Sequence, residues 1–328
     1  MPLSTAYLAI GSNLGDRLAN MREALRQLEA PGDLLVLQAG RIYENRAIGM
    51  GEAAPFLNTV IEVKTALEPE VLLERCLRVE DQLGRVRTGV WAPRTLDLDV
   101  LLYDDIRMES ATLRLPHPSM LERDFVMLPL RDVAPDRVLA GMRVADWAKA
   151  LESEELSCLS ERIWTNPQVR MIAAVASNRV IGKDGHLPWS IAEDWELFLK
   201  KTLGGILIMG RLSFMEMVKE PTWKQDRTYW VVTSQPELVV DYGVVAVAAL
   251  SEALEATQRL KQPIWICGGS SIYAEGLNCA DQLHLTRVEG DFVGDTYFPG
   301  WADTFRKQIA SVASSDKDHA YRFEVYEK

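Results

Sequence analysis

The first half of the chain alternates strand-like and helix-like patterns of apolar residues. Residues 7–10 are apolar and run into a turn-forming segment at 11–15, which predicts a strand followed by a tight turn. Apolar residues then recur at the spacing of one helix face, and a glycine at position 84 is typical of a helix end. The patterns predict strands over 7–10, 58–63 and 96–101, one helix containing Met21, Leu25 and Leu28, and another over 70–83.

A different pattern begins after an acidic and then turn-like stretch at 152–167. Short apolar runs, rich in β-branched and aromatic residues, follow one another and predict strands over 171–176, 206–209, 229–233, 244–247 and 264–267. Helical patterns lie between several of these runs. Such an order is typical of a sheet flanked by helices.

The length agrees with this change of pattern. At 328 residues the chain is about twice the usual domain size, so two hydrophobic cores are expected. We therefore predict a two-domain α/β protein with domains at 1–157 and 169–328 and a linker at 158–168.

Composition and charge exclude several classes of function. Hydrophobic residues make up 48% of the chain and charged residues 25%, which is ordinary for a globular protein. No apolar run approaches the roughly 18 residues that span a bilayer, and the beginning lacks a basic segment followed by an apolar core, so a cytoplasmic protein without a membrane partner is expected. The net charge of −11 argues against nucleic acid as a partner, because that binding depends on Lys and Arg. The four cysteines form no C-x-x-C pair, which argues against a structural metal.

Two neighbouring acids mark the first half. Successive side chains of a strand point to opposite faces, so Asp97 and Asp99 share one face, while Leu96, Leu98 and Val100 share the other. Two adjacent carboxylates need solvent or a cation, and Mg²⁺ with nucleotide phosphates suits such a pair. The alternative is an exposed strand with two solvated acids, which a D-x-D pattern alone favours.

Basic residues around this pair favour the cation. Arginine beside a metal-binding pair is typical of phosphoryl transfer, where catalysis is mostly positioning and neutralisation of charge. The chain lacks G-x-x-x-x-G-K-[ST], which excludes a P-loop mechanism. The basic and aromatic residues near the pair are Arg85, Arg87, Trp91, Arg94, His117 and Arg123.

At this point the residues carry a family resemblance. The chain contains YLAIGSNLG at 7–15, FLN at 56–58, GRVR at 84–87, WAPRTLDLD at 91–99 and LPHP at 115–118. Over residues 5–155 this ordered set resembles 6-hydroxymethyl-7,8-dihydropterin pyrophosphokinase. The resemblance implies a ferredoxin-like α+β fold and transfer of pyrophosphate from ATP to the pterin hydroxymethyl group, with release of AMP.

The same resemblance implies residue roles. Asp97 and Asp99 would hold two Mg²⁺ that bridge the triphosphate, and Arg85 and Arg94 would contact the transferring phosphates. The implied ATP-binding residues are Glu80, Arg85, Arg87, His117 and Arg123. The implied pterin-binding residues are Asn45, Phe56, Asn58, Trp91, Arg94 and Phe125. Without the shared motifs, Phe56 and Phe125 would be interpreted as core, Asn58 as a turn residue and Glu80 as a solvated acid.

Two loops depart from the family pattern. Asn45-Arg46-Ala47 stands where relatives usually carry Thr-Pro-Pro, and the segment between Arg87 and Trp91 is one residue short. These loops move during the family's cycle, so the departures bear on substrate affinity and closure more than on reaction type.

The second half contains an acid beside aromatic residues. The loop GKDGHLPW at 182–189 leads into a helix that begins around Ser190 and carries Asp194, Trp195 and Phe198. An acid on a surface helix usually points to water. If Asp194 is desolvated instead, its pKa rises, and it can bind an amidine-like ring edge or assist proton transfer.

A glycine pair follows the last predicted strand, at Gly268 and Gly269. Glycines let a pyrophosphate approach the backbone, and the start of the next helix favours an anion. The chain lacks G-x-G-x-x-G, and many strand-to-helix turns contain glycine, so this signal is weak alone.

The second half as a whole resembles dihydrofolate reductase over residues 170–328. The set consists of the loop at 182–189, Asp194, MGR at 209–211, Arg227, the glycine pair, Thr286 and GDTYFP at 294–299. The resemblance implies hydride transfer from NADPH to C6 of 7,8-dihydrofolate, with protonation of N5, on a mixed β-sheet flanked by helices. The implied folate-binding residues are Ala174, Leu187, Asp194, Phe198, Arg227 and Thr286. The implied NADPH-binding residues are Ala174, Ile181, Gly210, Arg211, Leu212, Ser213, Thr233, Ser234, Cys267, Gly268, Gly269, Ser270, Ser271, Ile272 and Tyr273.

This half also has departures. Ser270 replaces a usual glycine, and Leu212 stands where relatives often have a second polar group. Selectivity for the 2′-phosphate would therefore depend on Arg211 and Ser234.

Together the resemblances predict a bifunctional folate-pathway enzyme with ATP, hydroxymethyl-dihydropterin and dihydrofolate as small-molecule substrates, and with Mg²⁺ and NADPH as cofactors. The two reactions are not consecutive, so channelling between the sites does not follow. Two alternatives remain at this stage, together with an open oligomeric state. The second half could be a pyrimidine reductase of riboflavin synthesis, or one half could be a non-catalytic pterin- or nucleotide-binding scaffold.

Overall fold

The computed structural model describes residues 3–46, 54–85, 93–152, 156–161, 163, 169–224, 226–257, 260 and 262–328. These residues form two compact units, one before residue 164 and the other from residue 169 onwards. Each unit has its own main sheet and its own hydrophobic cores. No helix in the described part of the chain has the length and apolar character needed to cross a membrane.

The first unit is built from antiparallel strands and four helices. Its strands are β1 (Ser4–Ser12), β2 (Leu34–Ala39), β3 (Tyr43–Asn45), β4 (Phe56–Thr65), β5 (Asp97–Tyr103), β6 (Met108–Glu109), β7 (Arg114–Leu115), β8 (Val138–Leu139), β9 (Met142–Arg143) and β10 (Ser157–Cys158). Its helices are α1 (Arg17–Glu29), α2 (Pro69–Gln82), α3 (Asp124–Val133) and α4 (Val144–Leu151), with a 3-10 helix at Met120–Glu122.

The main sheet of this unit has the order β10-β3-β4-β1-β5, and β2 also pairs with β4. Residues of β1 alternate between two cores. Leu8 packs with α1 and α2 on one face, and Tyr7 packs with α3 and α4 on the other. A central β1, with β4 and β5 antiparallel on either side, confirms the predicted ferredoxin-like α+β fold.

The register of this sheet brings distant residues together. Gly11 near the end of β1 lies opposite Asn58 of β4 on one side and Asp97 of β5 on the other. A Cβ atom on Gly11 would come within 2.8 Å of the Asn58 amide oxygen, so glycine leaves the room that these two side chains occupy. The central strands therefore place two predicted site residues, Asn58 and Asp97, on either side of Gly11 at the same end of the sheet.

The segment after α4 continues the first unit. Cys158 in β10 pairs with Tyr43 of β3, and the Leu159 N–H donates to the Ile42 carbonyl at 2.8 Å. Ile163 is 1% exposed within the core formed with α1 and α2, and its carbonyl accepts from Arg22 Nε at 2.9 Å. Cys158, Leu159 and Ile163 belong to the segment that the sequence assigned to a linker, and they contact the first unit, whereas Ser160 and Glu161 are exposed. Residues 164–168 lie outside the described residues.

The second unit has ten strands and four helices. Its strands are β11 (Val169–Ala176), β12 (Val180–Gly182), β13 (Ile206–Gly210), β14 (Thr228–Val232), β15 (Val245–Val247), β16 (Ile264–Ile266), β17 (Gln282–Val288), β18 (Thr296–Tyr297), β19 (Lys307–Ser315) and β20 (Ala320–Glu327). Its helices are α5 (Ala192–Lys201), α6 (Arg211–Met217), α7 (Leu250–Thr257) and α8 (Ser270–Cys279), with 3-10 helices at Pro236–Leu238 and Val240–Tyr242.

The main sheet of the second unit has the order β15-β14-β13-β16-β11-β17-β20-β19. The strands from β15 to β17 are parallel, and β20 is antiparallel to both of its neighbours. Leu285 of β17 joins the core formed with α7 and α8, so the next residue, Thr286, faces the opposite side of the sheet. This arrangement confirms the predicted mixed sheet flanked by helices.

Parallel pairing also fixes where the glycines lie. Gly210 ends β13, and Gly268 and Gly269 follow the neighbouring β16, so all three lie at the carboxyl edge of the sheet. Helices α6 and α8 begin at the same edge. Ligands of open parallel sheets bind in crevices outside this edge.

The position of Ile163 leads to a stability prediction. Ile163→Ala should destabilise the first unit by about 2–5 kcal/mol, because it removes a buried side chain and leaves a cavity. Hydrogen exchange read by mass spectrometry should accelerate in β1 and β4 and stay unchanged in β11 and β17. The exposed neighbour provides a control, since Ser160→Ala should leave exchange in both units as it is. Equal exchange in the Ile163→Ala and parent proteins would show that this segment does not stabilise the first unit.

Candidate active sites

Two arginines converge on one carboxylate at the end of the first unit's sheet. Arg85 Nη1 donates to Asp97 Oδ1 at 2.5 Å, and Arg94 Nη1 donates to Asp97 Oδ2 at 2.7 Å. Arg85 follows the end of α2, and Arg94 precedes β5, so the ends of a helix and a strand fix the two cations around Asp97. The result is a compact cluster of paired charges at this end of the sheet.

A buried acid supports this arrangement from beneath. Glu80 of α2 is 1% exposed, pairs with Arg85, and accepts the Leu98 N–H at 2.7 Å. Because β5 lies at the edge of the sheet, that N–H points away from β1 and needs such an acceptor. Burial disfavours the charged form of Arg85, but Asp97 and Glu80 outweigh it and raise the Arg85 pKa. Glu80 thus holds both Arg85 and the strand that carries the acids.

The negative charge of Asp99, the second acid of the pair, is only partly balanced by its surroundings. Leu98 and Val100 are buried, as the predicted alternation of β5 requires, and Asp97 and Asp99 share the other face. Burial and the negative charge of Asp97 raise the pKa of Asp99, although His117 and Arg123 oppose this effect. A bound cation would relieve the repulsion between the two carboxylates. In the described part of the chain, no group of three or more His, Cys, Asp or Glu side chains is placed to hold a metal, so further ligands would come from substrate or water.

His117 lies near this pair on a segment tied to β5. The backbone N–H of His117 donates to the Leu101 carbonyl at 2.9 Å, and the ring Nδ1 accepts a hydrogen bond from the Ser119 backbone N–H at 3.3 Å. Burial lowers the pKa of His117, and the charge of Asp99 partly opposes that shift. With Nδ1 accepting a hydrogen bond, a neutral His117 carries its proton on Nε2 and offers a donor there.

The predicted pterin residues lie on adjacent strands. Asn58 Nδ2 donates to Asn45 Oδ1 at 2.7 Å, and Asn45 pairs with Phe56 across β3 and β4. The Arg94 guanidinium lies 6.0 Å from the centre of the Phe56 ring. Phe125 is partly buried against the core of α3 and α4, with the Arg123 guanidinium 5.8 Å from its ring.

The structure therefore brings together most of the residues that the sequence assigned to the first site. These are Asn45, Phe56, Asn58, Glu80, Arg85, Arg94, Asp97, Asp99, His117, Arg123 and Phe125. Arg87 and Trp91 lie outside the described residues. Asn13 also contacts this region, although no motif assigned it a role, and its signal was its place in the turn directly after β1.

The second unit holds a partly buried acid at the start of α5. Asp194 in the first turn of α5 accepts a hydrogen bond from the Thr286 hydroxyl, and Thr286 lies beside Ala174 across β11 and β17. Loss of water raises the pKa of Asp194 to about 6, although the Thr286 hydrogen bond acts in the opposite direction. Asp194 is partly buried, and its raised pKa favours the desolvated interpretation, while its role in binding or proton transfer stays a prediction.

Aromatic residues and a loop surround this acid. The rings of Trp195 and Phe198 stack with centres 5.3 Å apart on the same helix. In the preceding loop, Trp189 is buried and packs edge-on against Phe292 at 5.0 Å, whereas Leu187 is 51% exposed. An exposed apolar side chain such as that of Leu187 provides surface that an apolar ring can cover.

Arg227 lies at the other end of α5. Its Nε donates to Thr202 Oγ1 at 2.9 Å, and it also donates to the Leu199 carbonyl. Burial lowers the pKa of Arg227. A helix of 10 residues is about 15 Å long, so Asp194 and Arg227 can contact opposite ends of an extended ligand.

The glycines at the carboxyl edge form a tight cradle. The Gly210 N–H donates to the Gly268 carbonyl at 2.7 Å. Gly268 has a φ of 108°, and a Cβ there would lie 3.2 Å from the Tyr273 ring. A Cβ on Gly269 would lie 3.3 Å from Ser213 Oγ. The absence of side chains at these positions exposes backbone that a pyrophosphate can approach.

The other residues predicted for the dinucleotide lie around the cradle. Ser270 Oγ donates to the Tyr297 carbonyl at 2.6 Å, the Tyr273 hydroxyl donates to the Ile172 carbonyl at 2.7 Å, and Leu212 is 74% exposed. The Thr233 hydroxyl accepts the Gln235 N–H at 3.0 Å at the end of β14. Elements at this edge or next to it carry Ile181, Arg211, Ser213, Ser234, Cys267, Ser271 and Ile272.

Comparisons with known proteins match the two units separately. Residues 7–135 match the family model of 7,8-dihydro-6-hydroxymethylpterin-pyrophosphokinase, and residues 168–328 match that of dihydrofolate reductase. The 2-amino-4-hydroxy-6-hydroxymethyldihydropteridine pyrophosphokinase of Bacillus subtilis is 43% identical over 128 residues, which is 39% of this chain and 77% of that protein. The protein of the same name from Methylorubrum extorquens is 39% identical over 144 residues, 44% of this chain and 91% of that protein.

A longer protein and a solved structure also match. The folic acid synthesis protein fol1 of Schizosaccharomyces pombe is 38% identical over 133 residues, 40% of this chain and 18% of that protein. A structure of dihydrofolate reductase from Enterococcus faecalis, complexed with NADP(H) and RAB-propyl, is 31% identical. It covers 49% of this chain and 95% of that chain with a TM-score of 0.44.

The family model matched by the second unit is that of dihydrofolate reductase, which supports this interpretation over the pyrimidine reductase that the sequence left open. The first unit matches most of the length of two bacterial pyrophosphokinases. The chain therefore belongs to the 7,8-dihydro-6-hydroxymethylpterin-pyrophosphokinase family through its first unit and to the dihydrofolate reductase family through its second, and it is a bifunctional enzyme of folate biosynthesis.

Proposed function

We propose that the first unit transfers pyrophosphate from ATP to 6-hydroxymethyl-7,8-dihydropterin with two Mg²⁺ at Asp97 and Asp99, and that the second reduces 7,8-dihydrofolate with NADPH through Asp194. One observation supports both halves of the proposal. Each unit holds a carboxylate whose pKa is raised mainly by burial. At Asp99 the nearby cationic groups offset this effect only in part, and at Asp194 a single hydroxyl opposes it.

In the first unit the donor set fits Mg²⁺. Asp97 and Asp99 share a face, and burial together with mutual repulsion raises the pKa of Asp99, which is the condition that a divalent cation relieves. When bound, Mg²⁺ would supply positive charge to the triphosphate and orient it for displacement. Asp97 would exchange its arginine partners for the cation, which frees Arg85 and Arg94 to bind the transferring phosphates.

The remaining residues of the first unit orient the two substrates. Glu80 retains Arg85 near the phosphates, and His117 offers its Nε2 hydrogen to the nucleotide, with Arg123 beside it. Asn58 and Asn45 provide amide groups to the pterin edge, and Phe56 and Phe125 provide flat apolar surfaces for its ring. Catalysis then consists of positioning and charge neutralisation rather than covalent chemistry by the protein.

In the second unit the cradle of Gly210, Gly268 and Gly269 fits a dinucleotide pyrophosphate, and Arg211 with Ser234 provides groups for a 2′-phosphate. NADPH supplies the hydride. Asp194 would bind the amino-pyrimidine edge of dihydrofolate and hold the proton that reduction consumes, because its raised pKa keeps the carboxyl protonated below about pH 6. Arg227 would bind the glutamate carboxylate at the far end of α5.

Reciprocal substitutions test the assignment within one chain. Asp97→Asn should lower AMP formation by about 100-fold or more and leave NADPH oxidation unchanged. Asp194→Asn should lower NADPH oxidation by about 100-fold and leave AMP formation unchanged. Each variant is the folding control for the other. Wild-type turnover of the corresponding reaction in either variant would remove that residue from the mechanism.

The pKa of Asp194 sets the direction of a pH profile. Since the protonated carboxyl is the active form, kcat/KM for dihydrofolate should fall as pH rises above about 6, by about tenfold per unit at the limit. Thr286→Val removes a hydrogen bond that lowers the pKa, so the midpoint should move to higher pH. A profile that rises with pH, or a midpoint near that of a free aspartate, would contradict the assignment.

The same shift predicts how stability depends on pH. The pKa of Asp194 is raised from 3.8 to about 6 on folding, so the folded protein holds this proton more tightly, and stability is lost as pH rises between these values. Above pH 6 the buried charge costs on the order of 3 kcal/mol. Asp194→Asn should therefore raise the unfolding midpoint of the second unit at pH 8 and change it little at pH 4. A stabilisation of equal size at both pH values would show that charge burial is not the cause.

A further inference from the structure

The turn that joins β1 to α1, residues 12–17, contacts the chain on two sides of the first unit's site. On the phosphate side, Ser12 Oγ donates to the Thr95 carbonyl at 2.6 Å. On the pterin side, Arg17 Nη1 donates to the Pro55 carbonyl at 2.7 Å. Thr95 lies two residues before the start of β5, and Pro55 directly precedes β4. The turn therefore contacts the segments that lead into both strands.

One side chain in this turn contacts both sides at once. Asn13 is 2% exposed. Its Oδ1 accepts the Arg94 N–H at 2.7 Å, and its Nδ2 donates to the Ala54 carbonyl at 3.3 Å. The backbone N–H of Asn13 also donates to the Arg94 carbonyl at 3.1 Å. Because the Arg94 N–H needs an acceptor, the amide oxygen must face Arg94, and the amide nitrogen must then face Ala54.

The two partners of Asn13 lie in different segments of the proposed site. Arg94 contacts Asp97 on the phosphate side, and its guanidinium also lies 6.0 Å from the centre of the Phe56 ring on the pterin side. Ala54 lies two residues before Phe56, at the start of the strand that carries the pterin residues. Both hydrogen bonds involve the same rigid, planar amide group of Asn13. A backbone shift at Arg94 that moves this amide therefore also changes the length of its hydrogen bond to the Ala54 carbonyl.

Arg17 offers a contrast, because the two partners of its side chain, among the described residues, lie on the pterin side alone. Its Nη1 bonds Glu44 Oε1 at 2.7 Å as well as the Pro55 carbonyl. Glu44 is in β3, next to Asn45, and Pro55 directly precedes Phe56. Arg17 therefore joins the two chain segments that carry the pterin residues and makes no such link to Arg94.

We propose that Asn13 is a positioning residue that couples pterin binding to nucleotide binding in the first unit, whereas Arg17 positions the pterin residues only. The proposal rests on the pyrophosphokinase function proposed above. A nucleotide that binds Arg94 fixes the position of the Arg94 backbone. The Asn13 amide then holds the Ala54 carbonyl in place through its second hydrogen bond. As a result, the pterin residues of β4 are ordered before the pterin binds. By linkage, the pterin then raises nucleotide affinity by the same factor.

Calorimetric titration of the full chain measures this coupling. The probe is 6-hydroxymethylpterin, titrated with and without α,β-methylene-ATP and Mg²⁺, and the ratio of the two dissociation constants is the coupling factor. We expect about tenfold for the parent protein. Asn13→Asp keeps the oxygen that accepts from Arg94 and replaces the donor to Ala54 with a second oxygen, so the factor should fall to about twofold or less.

The matched control is Arg17→Met, which keeps an apolar stem and removes both hydrogen bonds on the pterin side. It should weaken pterin binding several-fold with and without the nucleotide analogue and keep the parent coupling factor. Asn13→Ala removes both arms without adding charge and should also abolish coupling. Reversible unfolding weakens the apparent dissociation constants, so the folded fraction of each variant is measured by circular dichroism with and without the nucleotide analogue, and the constants are corrected for it.

Several results would overturn the proposal. These are a parent coupling factor near one, a parent-like factor in Asn13→Asp and Asn13→Ala, or an equal loss of coupling in Arg17→Met. Failure of the proposed function looks different, because the parent protein would then bind no pterin in the presence of the nucleotide analogue and Mg²⁺.

Discussion

A carboxylate that loses water must gain either a compensating positive charge or a proton, and both sites of this protein are organised around that constraint. In the first unit, Asp97 is neutralised by Arg85 and Arg94, whereas Asp99 remains under strain from burial and from its neighbour. In the second unit, Asp194 has a hydroxyl partner but no cation, so its pKa rises to about 6. The first arrangement is suited to a metal ion and phosphates, and the second is suited to holding a proton.

The two sheets hold these acids in different ways. In the antiparallel sheet, register is decisive, because Gly11 of the central strand sets Asn58 and Asp97 side by side at one end. In the mostly parallel sheet, strand direction is decisive, because Gly210 and Gly268 meet at the carboxyl edge where α6 and α8 begin. Buried polar groups then fix the details, with Glu80 under β5 and Thr286 under α5. The chemistry of each unit follows from these positions.

Local periodicity predicts the parts of this structure that depend on local rules. The two-residue period of β5 places Asp97 and Asp99 on one face, and the glycine turn after β16 lies where its sequence indicates. Contacts between distant segments were not predictable from patterns. Asp194 accepts a hydrogen bond from Thr286, which lies 92 residues further along the chain. Asn13 forms hydrogen bonds with residues that lie 41 and 81 positions away. Ile163 likewise packs in the core of the first unit, and its carbonyl accepts a hydrogen bond from Arg22, 141 residues earlier in the chain. The acidic composition of the stretch at 152–167 does not indicate this contact.

The central claim is that one chain carries two independent carboxylate-centred sites, of which the first alone needs a metal. A paired assay on the intact protein tests it most directly. AMP formation from ATP and 6-hydroxymethyl-7,8-dihydropterin is measured beside NADPH consumption with dihydrofolate, before and after chelation of divalent cations. The account predicts that both reactions proceed in the presence of Mg²⁺, and that chelation abolishes AMP formation while NADPH consumption continues at its original rate. Loss of both reactions on chelation, or persistence of AMP formation, would contradict it.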